Sequence, residues 1–125
     1  MFTIDTNILI SYLNDDKEVV KQLLSWRDAG ARFFISVITE IEALSLPSLT
    51  TAEIHKIQQL LREFTIISLD SQLGQMSAEI RRKCRLSLGD SIIAATAKLT
   101  NSILATKDKE IIKKAKSLIQ IRGIT

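Results

Sequence analysis

The sequence predicts an α/β protein: a three-layer α/β/α sandwich around an open, mostly parallel central sheet. Three observations point there. Short apolar runs alternate along the whole chain with segments whose apolar residues recur at helical spacing. One proline and four glycines in 125 residues leave little room for long irregular stretches. Repeated strand–helix–strand order calls for right-handed crossovers, which make the strands parallel and cover both faces with helices. The length suits one domain, 1–125, and no repeat, linker or low-complexity stretch divides it.

The elements follow in order. Phe2–Asp5 reads as the first strand, with a helix near Thr6–Leu13. Asp15–Ala29 is helical, with Val19, Val20, Leu23, Leu24 and Trp26 as its apolar residues, and Gly30 ends it. Arg32–Ser36 is a second strand and Val37–Leu46 a helix stopped by Pro47. Thr50 or Thr51 can cap the next helix, whose stripe is Ile54, Ile57, Leu60, Leu61 and Phe64. Thr65–Leu69 is a third strand and Asp70–Arg85 a helix with Leu73, Met76, Ile80 and Cys84 at helical spacing. Leu88–Leu99 is an Ala-rich helix, Ser102–Ala105 a fourth strand, Lys107–Ser117 a last helix and Ile119–Ile121 a short final strand.

Composition removes several classes. No segment reaches the roughly 18 consecutive apolar residues of a membrane span. The start, Met-Phe-Thr-Ile-Asp, lacks the basic region and apolar core of a signal peptide. One cysteine, Cys84, permits no internal disulfide, and its place on an apolar stripe makes it a packing residue. A cytoplasmic protein is expected. His55 is the only histidine, so chemistry through a histidine pair is excluded. His55 itself lies off its helix stripe and reads as exposed and inert.

In open parallel sheets the ligand crevice lies beyond the carboxyl ends of the strands. Asp5 ends the first strand, and Asp108 follows the fourth by three residues. Glu42 stands within two helical turns of the end of the second strand, and Thr39, one turn earlier, faces nearly the same way. Asp90 lies in the first turn of a helix expected to start at the same rim. Each has a purely structural alternative. Asp5 could cap the first helix. Asp90 could close a capping box with Ser87. Asp108 could favour a helix N-terminus capped by Thr106, and Glu42 could be an ordinary exposed helix residue. Only convergence on one rim joins all four. Clustered carboxylates repel and need a cation, and an all-oxygen donor set selects Mg²⁺ or Mn²⁺ over zinc. The chemistry such a site suggests is phosphodiester hydrolysis by metal-activated water.

The net charge is +3, from 17 basic and 14 acidic residues. With the four candidate acids set aside, ten acidic residues face those 17 basic ones, a balance suited to gripping phosphates. Arg81, Arg82, Lys83 and Arg85 cluster before Asp90, and Lys107 and Lys109 flank Asp108. Arg81, Arg82, Arg85, Lys107 and Lys109 are therefore candidates for holding a nucleic-acid backbone, against the alternative of solvated helix faces. Trp26 reads as a core or dimer-interface residue, because no interleaved aromatics accompany it.

Four segments, taken together, resemble the PIN-domain family and in particular its single-domain VapC-type toxins. They are the apolar strand with Asp5-Thr6-Asn7; Ile35-Ser36-Val37-Ile38-Thr39-Glu40-Ile41-Glu42; Leu86-Ser87-Leu88-Gly89-Asp90 with Ile92–Ala97; and Ile103-Leu104-Ala105-Thr106-Lys107-Asp108. The resemblance covers nearly the whole chain. It implies a Mg²⁺-dependent endoribonuclease in which Asp5, Glu42, Asp90 and Asp108 are the catalytic metal ligands, supported by Asn7, Thr39 and Thr106. It also implies an RNA substrate, a homodimer and an antitoxin partner. Two positions depart from the family's habit: Gly89, where proline is common, and Ile111, where an aromatic is common. Two other functions compete. A module that keeps the fold and binds RNA without turnover would not need all four acids. A phosphoacceptor receiver domain would need adjacent acids after the first strand, where Thr6 and Asn7 stand instead.

Overall fold

The computed structural model describes residues 1–124. The elements run β1 (Phe2–Ile4), α1 (Thr6–Leu13), α2 (Lys17–Asp28), β2 (Phe33–Ser36), α3 (Val37–Leu44), α4 (Thr51–Leu61), β3 (Thr65–Ile67), α5 (Ser71–Cys84), α6 (Leu88–Leu99), β4 (Ile103–Thr106), α7 (Lys109–Ala115) and β5 (Ile121–Gly123). The five strands form one sheet in the order β3-β2-β1-β4-β5. Every pairing is parallel, so the expected mostly parallel sheet is wholly parallel.

The order places the reversal of winding between β1 and β4. The chain steps outward from β1 to β2 to β3, then returns to lay β4 on the other side of β1. Diverging crossovers leave a crevice at the carboxyl ends of those two strands. The N–H of Asp5 donates to the Ala105 carbonyl at 3.0 Å, which ties the two lips of that crevice together.

Two cores flank the sheet. One gathers Phe2, Ile4, Ile8, Leu9, Val19, Leu23, Trp26, Phe33 and Ile35 with the α4 residues Ile57 and Leu61. The other gathers Leu73, Ile80, Cys84, Ile93, Leu104, Ile111 and Ile119 with the small residues Ala94, Ala95 and Ala97. Alternation along β4 divides its residues: Ala105 joins the first core and Leu104 the second. Each fully buried aliphatic side chain contributes about 1.5–3 kcal/mol. Trp26 stacks on Phe2 with ring centroids 3.8 Å apart, so it is a core residue and not a base platform. Cys84 is buried and His55 exposed.

Local chemistry sets the helix ends. Asp16 caps α2 by accepting from the N–H groups of Glu18 and Val19, after Asp15 has turned the chain at φ 58°. Thr50 and Glu53 form a complete capping box on α4. Asp70 caps α5 by accepting from the Leu73 N–H at 2.9 Å. Several boundaries differ from expectation by one or two residues, those of the last two elements among them. Helix α7 ends at Ala115, and β5 starts at Ile121 instead of Ile119. The N–H groups of Leu118 and Ile119 bond back to the Ala115 carbonyl, and Ile119 is drawn into the core, so pairing with β4 begins two residues later. Among the described residues no helix is long and apolar enough to cross a membrane.

Candidate metal centre

Asp5 is the buried centre of the crevice, with 4% of its surface exposed. It closes β1 and caps α1: its Oδ1 accepts from the Thr6 N–H at 2.8 Å. Its Oδ2 accepts from the Thr106 hydroxyl at 2.6 Å and from the Asn7 amide at 3.3 Å. Burial, the largest influence, raises its pKa from 3.8 to about 6. The bonds from Thr106 and Thr6 pull it down, while the negative charges of Asp90 and Asp108 push it up. Asp90 and Asp108, distant in sequence, thus lie within electrostatic range of Asp5.

Thr106 is the hub on the β4 side. Its hydroxyl oxygen, which donates to Asp5, also accepts from the Asp108 N–H at 2.9 Å. The Asn7 side chain spans the crevice, donating to Asp5 and to Thr106 and accepting from the Lys107 N–H at 3.2 Å. Asp108 is itself the N-cap of α7, accepting from the N–H groups of Glu110 and Ile111. The expected cap, Thr106, still belongs to β4, two residues before the cap position, and braces Asp108 instead. Asp108 Oδ1 takes both cap bonds, which leaves Oδ2 outside the cap.

Glu42 joins through a residue that sequence reasoning quoted without assigning it a part. The Thr6 hydroxyl donates to Glu42 Oε1 at 2.8 Å and lies 3.0 Å from the Thr39 hydroxyl. Thr6 has one hydroxyl proton, so the chain of donation runs from Thr39 to Thr6 to Glu42. The available signal was its position: the first residue of α1, directly after Asp5. At Asp90, Ser87 caps α6 by accepting the Asp90 N–H at 3.2 Å, but the reciprocal bond found at Thr50–Glu53 is not made. The Asp90 carboxylate is therefore not committed to a capping box.

The candidate basic residues separate. Lys107 turns away from the acids: its ammonium donates to Ser11 at 2.8 Å and pairs with Asp16 at 3.2 Å. It fastens the β4–α7 loop to the start of α2, and the burial of its stem accounts for that direction better than a phosphate would. Lys109 is exposed and has no ion-pair partner among the described residues. Arg81, Arg82 and Arg85 are exposed at the end of α5, and Arg85 takes a left-handed backbone (φ 55°) as the C-cap. They precede the short loop before α6, the helix whose first turn carries Asp90, and make none of the hydrogen bonds of the site.

The donor set is hard oxygen throughout, and a buried carboxylate destabilised by two neighbouring anions is the environment a cation relieves. Among the described residues no group of three or more His, Cys, Asp or Glu side chains stands close enough to ligate one ion directly. A Mg²⁺ ion keeps several waters and takes one or two carboxylates directly, so the arrangement fits a hydrated hard cation.

Comparison with known proteins agrees with this geometry. The PIN domain family model matches residues 2–117. No curated protein matches the chain. A chain of a toxin–antitoxin complex from Klebsiella pneumoniae is 26% identical, over 98% of this chain and 96% of that one, with a TM-score of 0.83. VapBC2 from Rickettsia felis, solved with a DNA fragment from their promoter, is 17% identical over 99% and 98%, also at 0.83. FitAcB from Neisseria gonorrhoeae is 24% identical over 97% and 96%, at 0.75. The last two likenesses, below a quarter identical, are likenesses of fold.

Proposed function

This chain belongs to the PIN-domain family, and from that premise we propose that it is a divalent-metal-dependent endoribonuclease, the toxin of a toxin–antitoxin pair. The observation that carries the reading is Asp5: a buried carboxylate at the β1–β4 crevice, its pKa raised to about 6 by burial and by the charges of Asp90 and Asp108. Asp5, Asp90 and Asp108 would hold Mg²⁺ or Mn²⁺, with Glu42 positioned beside them by Thr6 and Thr39. When bound, the cation polarises a phosphodiester and lowers the pKa of the attacking water. The chain's own work is to bury Asp5 and to hold the half-buried Asp90 and Asp108 within electrostatic range of it. Thr106 and Asn7 orient Asp5, and Thr106 fixes the loop that bears Asp108. Arg81, Arg82, Arg85 and Lys109, all exposed, would grip the RNA backbone.

The test is incubation of the purified protein with total cellular RNA in Mg²⁺ or Mn²⁺, beside EDTA and Asp5→Asn controls. Cleavage is expected in the metal-loaded wild type alone. Equal cleavage by the Asp5→Asn protein would refute the mechanism. The toxin–antitoxin complex that resembles this chain at 26% identity supports an antitoxin as its protein partner.

A homodimer is also part of the proposal. Ile41 on α3 and Leu88 at the start of α6 are 54% and 60% exposed. They lie beside Glu42 and Asp90 on two helices that meet at Ile38 and Gly89, whose ideal Cβ would stand 3.9 Å from Ile38 Cγ2. Exposed aliphatic residues beside a site suit a surface covered by a second copy. Sedimentation should give a dimer for the wild type and a folded monomer for Ile41→Asp/Leu88→Asp. A monomeric wild type at micromolar concentration would remove this part.

A further inference from the structure

A cavity of about 440 Å³ opens beside the candidate metal centre, lined by Thr106, Lys107, Lys109, Ile112, Gly123 and Ile124. None of the four acids lines it, but Thr106, which supports Asp5, belongs to both places, so the cavity adjoins the acidic crevice. Its volume lies within the range of sites that enclose a small ligand. The walls are mainly aliphatic, from Ile112 on α7 and Ile124 beyond β5.

The polar features of the cavity are specific. Strand β5 is an edge strand, paired only with β4. The Gln120 carbonyl accepts from the Leu104 N–H, and the Ile124 N–H donates to the Thr106 carbonyl. In a parallel ladder successive residues turn their backbone groups to opposite sides. The N–H and C=O of Gly123 therefore point away from β4, along the free edge. Gly123 has no side chain to cover them, and a Cβ there would come within 3.1 Å of the tip of Ile112. Lys109 stands on the rim without an ion-pair partner among the described residues. An aliphatic slot, one free donor and one free acceptor side by side, and an uncommitted ammonium at the mouth match a nucleotide. The slot takes the flat base, the peptide edge meets its hydrogen-bonding edge, and the ammonium meets a phosphate.

We propose that this cavity is a base-recognition subsite, which seats the nucleobase of an RNA residue next to the scissile phosphodiester and so contributes to the choice of cleavage site. The inference rests on the ribonuclease reading for its biological meaning, but not for its test. The test is titration of the full-length, metal-free protein in EDTA with the four ribonucleoside 5′-monophosphates at millimolar concentration. Backbone amide NMR shifts are followed, with ribose 5-phosphate as the probe lacking a base.

Shifts centred on Gly123, Ile124 and Lys109, unequal among the four nucleotides and absent with ribose 5-phosphate, are expected. Ile112→Trp, which fills the slot from a half-buried position on α7, should weaken binding at least about tenfold, comparable with the loss of one base contact. Gly123→Ala, a smaller intrusion, provides a second variant should Ile112→Trp fail to fold. Equal shifts from ribose 5-phosphate would mean a phosphate contact only and would overturn the proposal. So would the absence of shifts, or shifts at the β5 edge produced by a short extended peptide and by no nucleotide. Specific binding without RNA cleavage would leave the subsite standing and refute the nuclease reading. Metal-dependent cleavage without nucleotide shifts would do the reverse.

Discussion

Asp5→Asn is expected to make the metal-free protein more stable at neutral pH while slowing RNA cleavage in Mg²⁺ by about 10³-fold, the several kcal/mol of stabilisation that a bound metal supplies. The two effects share a cause. Folding moves the Asp5 carboxyl from its ordinary 3.8 to about 6. The native state therefore holds a proton between those values that the unfolded chain has released. Stability from this group is greatest below pH 3.8, falls as pH rises through the window, and has reached its full loss above pH 6. The shift corresponds to about 3 kcal/mol. Asparagine resembles the protonated acid in shape and carries no charge at any pH. The stability difference between Asp5→Asn and wild type should thus grow from near zero at pH 4 to about 3 kcal/mol at pH 7. Urea unfolding in EDTA across that range measures it. Added Mn²⁺ or Mg²⁺ should raise the melting temperature of the wild type and leave that of the variant unchanged. A variant less stable than wild type at pH 7, in EDTA, would mean that Asp5 is a structural cap and that its charge is not strained.

Thr106→Val is expected to be the most damaging change that leaves every acid in place. Valine keeps the shape and removes the hydroxyl that donates to Asp5 and accepts from the Asp108 N–H. Both partners lie in or against a buried region, so the loss should be about 1–3 kcal/mol of stability. The Thr106 bond also lowers the Asp5 pKa. Its removal should move the pH window of the stability curve upward, which a merely structural defect would not do. Cleavage should fall at least about tenfold, as when a group orienting a metal ligand is lost. Thr106→Ser restores the hydroxyl and should recover most of both effects. Unchanged cleavage and an unchanged pH window in Thr106→Val would remove Thr106 from the site.

The strain at Asp5 also explains why the site is assembled by hydroxyls and amides. Thr6, Thr39, Thr106 and Asn7 can donate to carboxylates without adding charge. Lysine or arginine in those places would neutralise the acids and displace the cation. The one ammonium that follows the fourth strand, Lys107, is instead held 3.2 Å from Asp16, on the far side of the loop. Local electrostatics thus keep the crevice negative while the surface around it carries the excess of basic residues.

The sequence by itself determined the α/β class and nearly every helix and strand, and it singled out four candidate acids. Those features depend on short-range rules. Apolar spacing states which face of an element is buried, capping residues state where a helix starts, and a parallel sheet sends the residues after each strand to one rim. Only the tertiary structure decided which acids meet and what holds them. Spacing says that β1 is covered on both faces but not that β4 lies beside it, so the contact of Thr106 with Asp5, across 101 positions, had no local signal. The same limit applies to Lys107, whose long side chain could reach either side of its loop and was drawn to Asp16. It applies to the slot at β5 as well, whose walls come from β4, α7 and the end of the described chain. Periodicity encodes burial, whereas the choice of partner depends on packing between elements far apart in the chain, which no window of sequence contains.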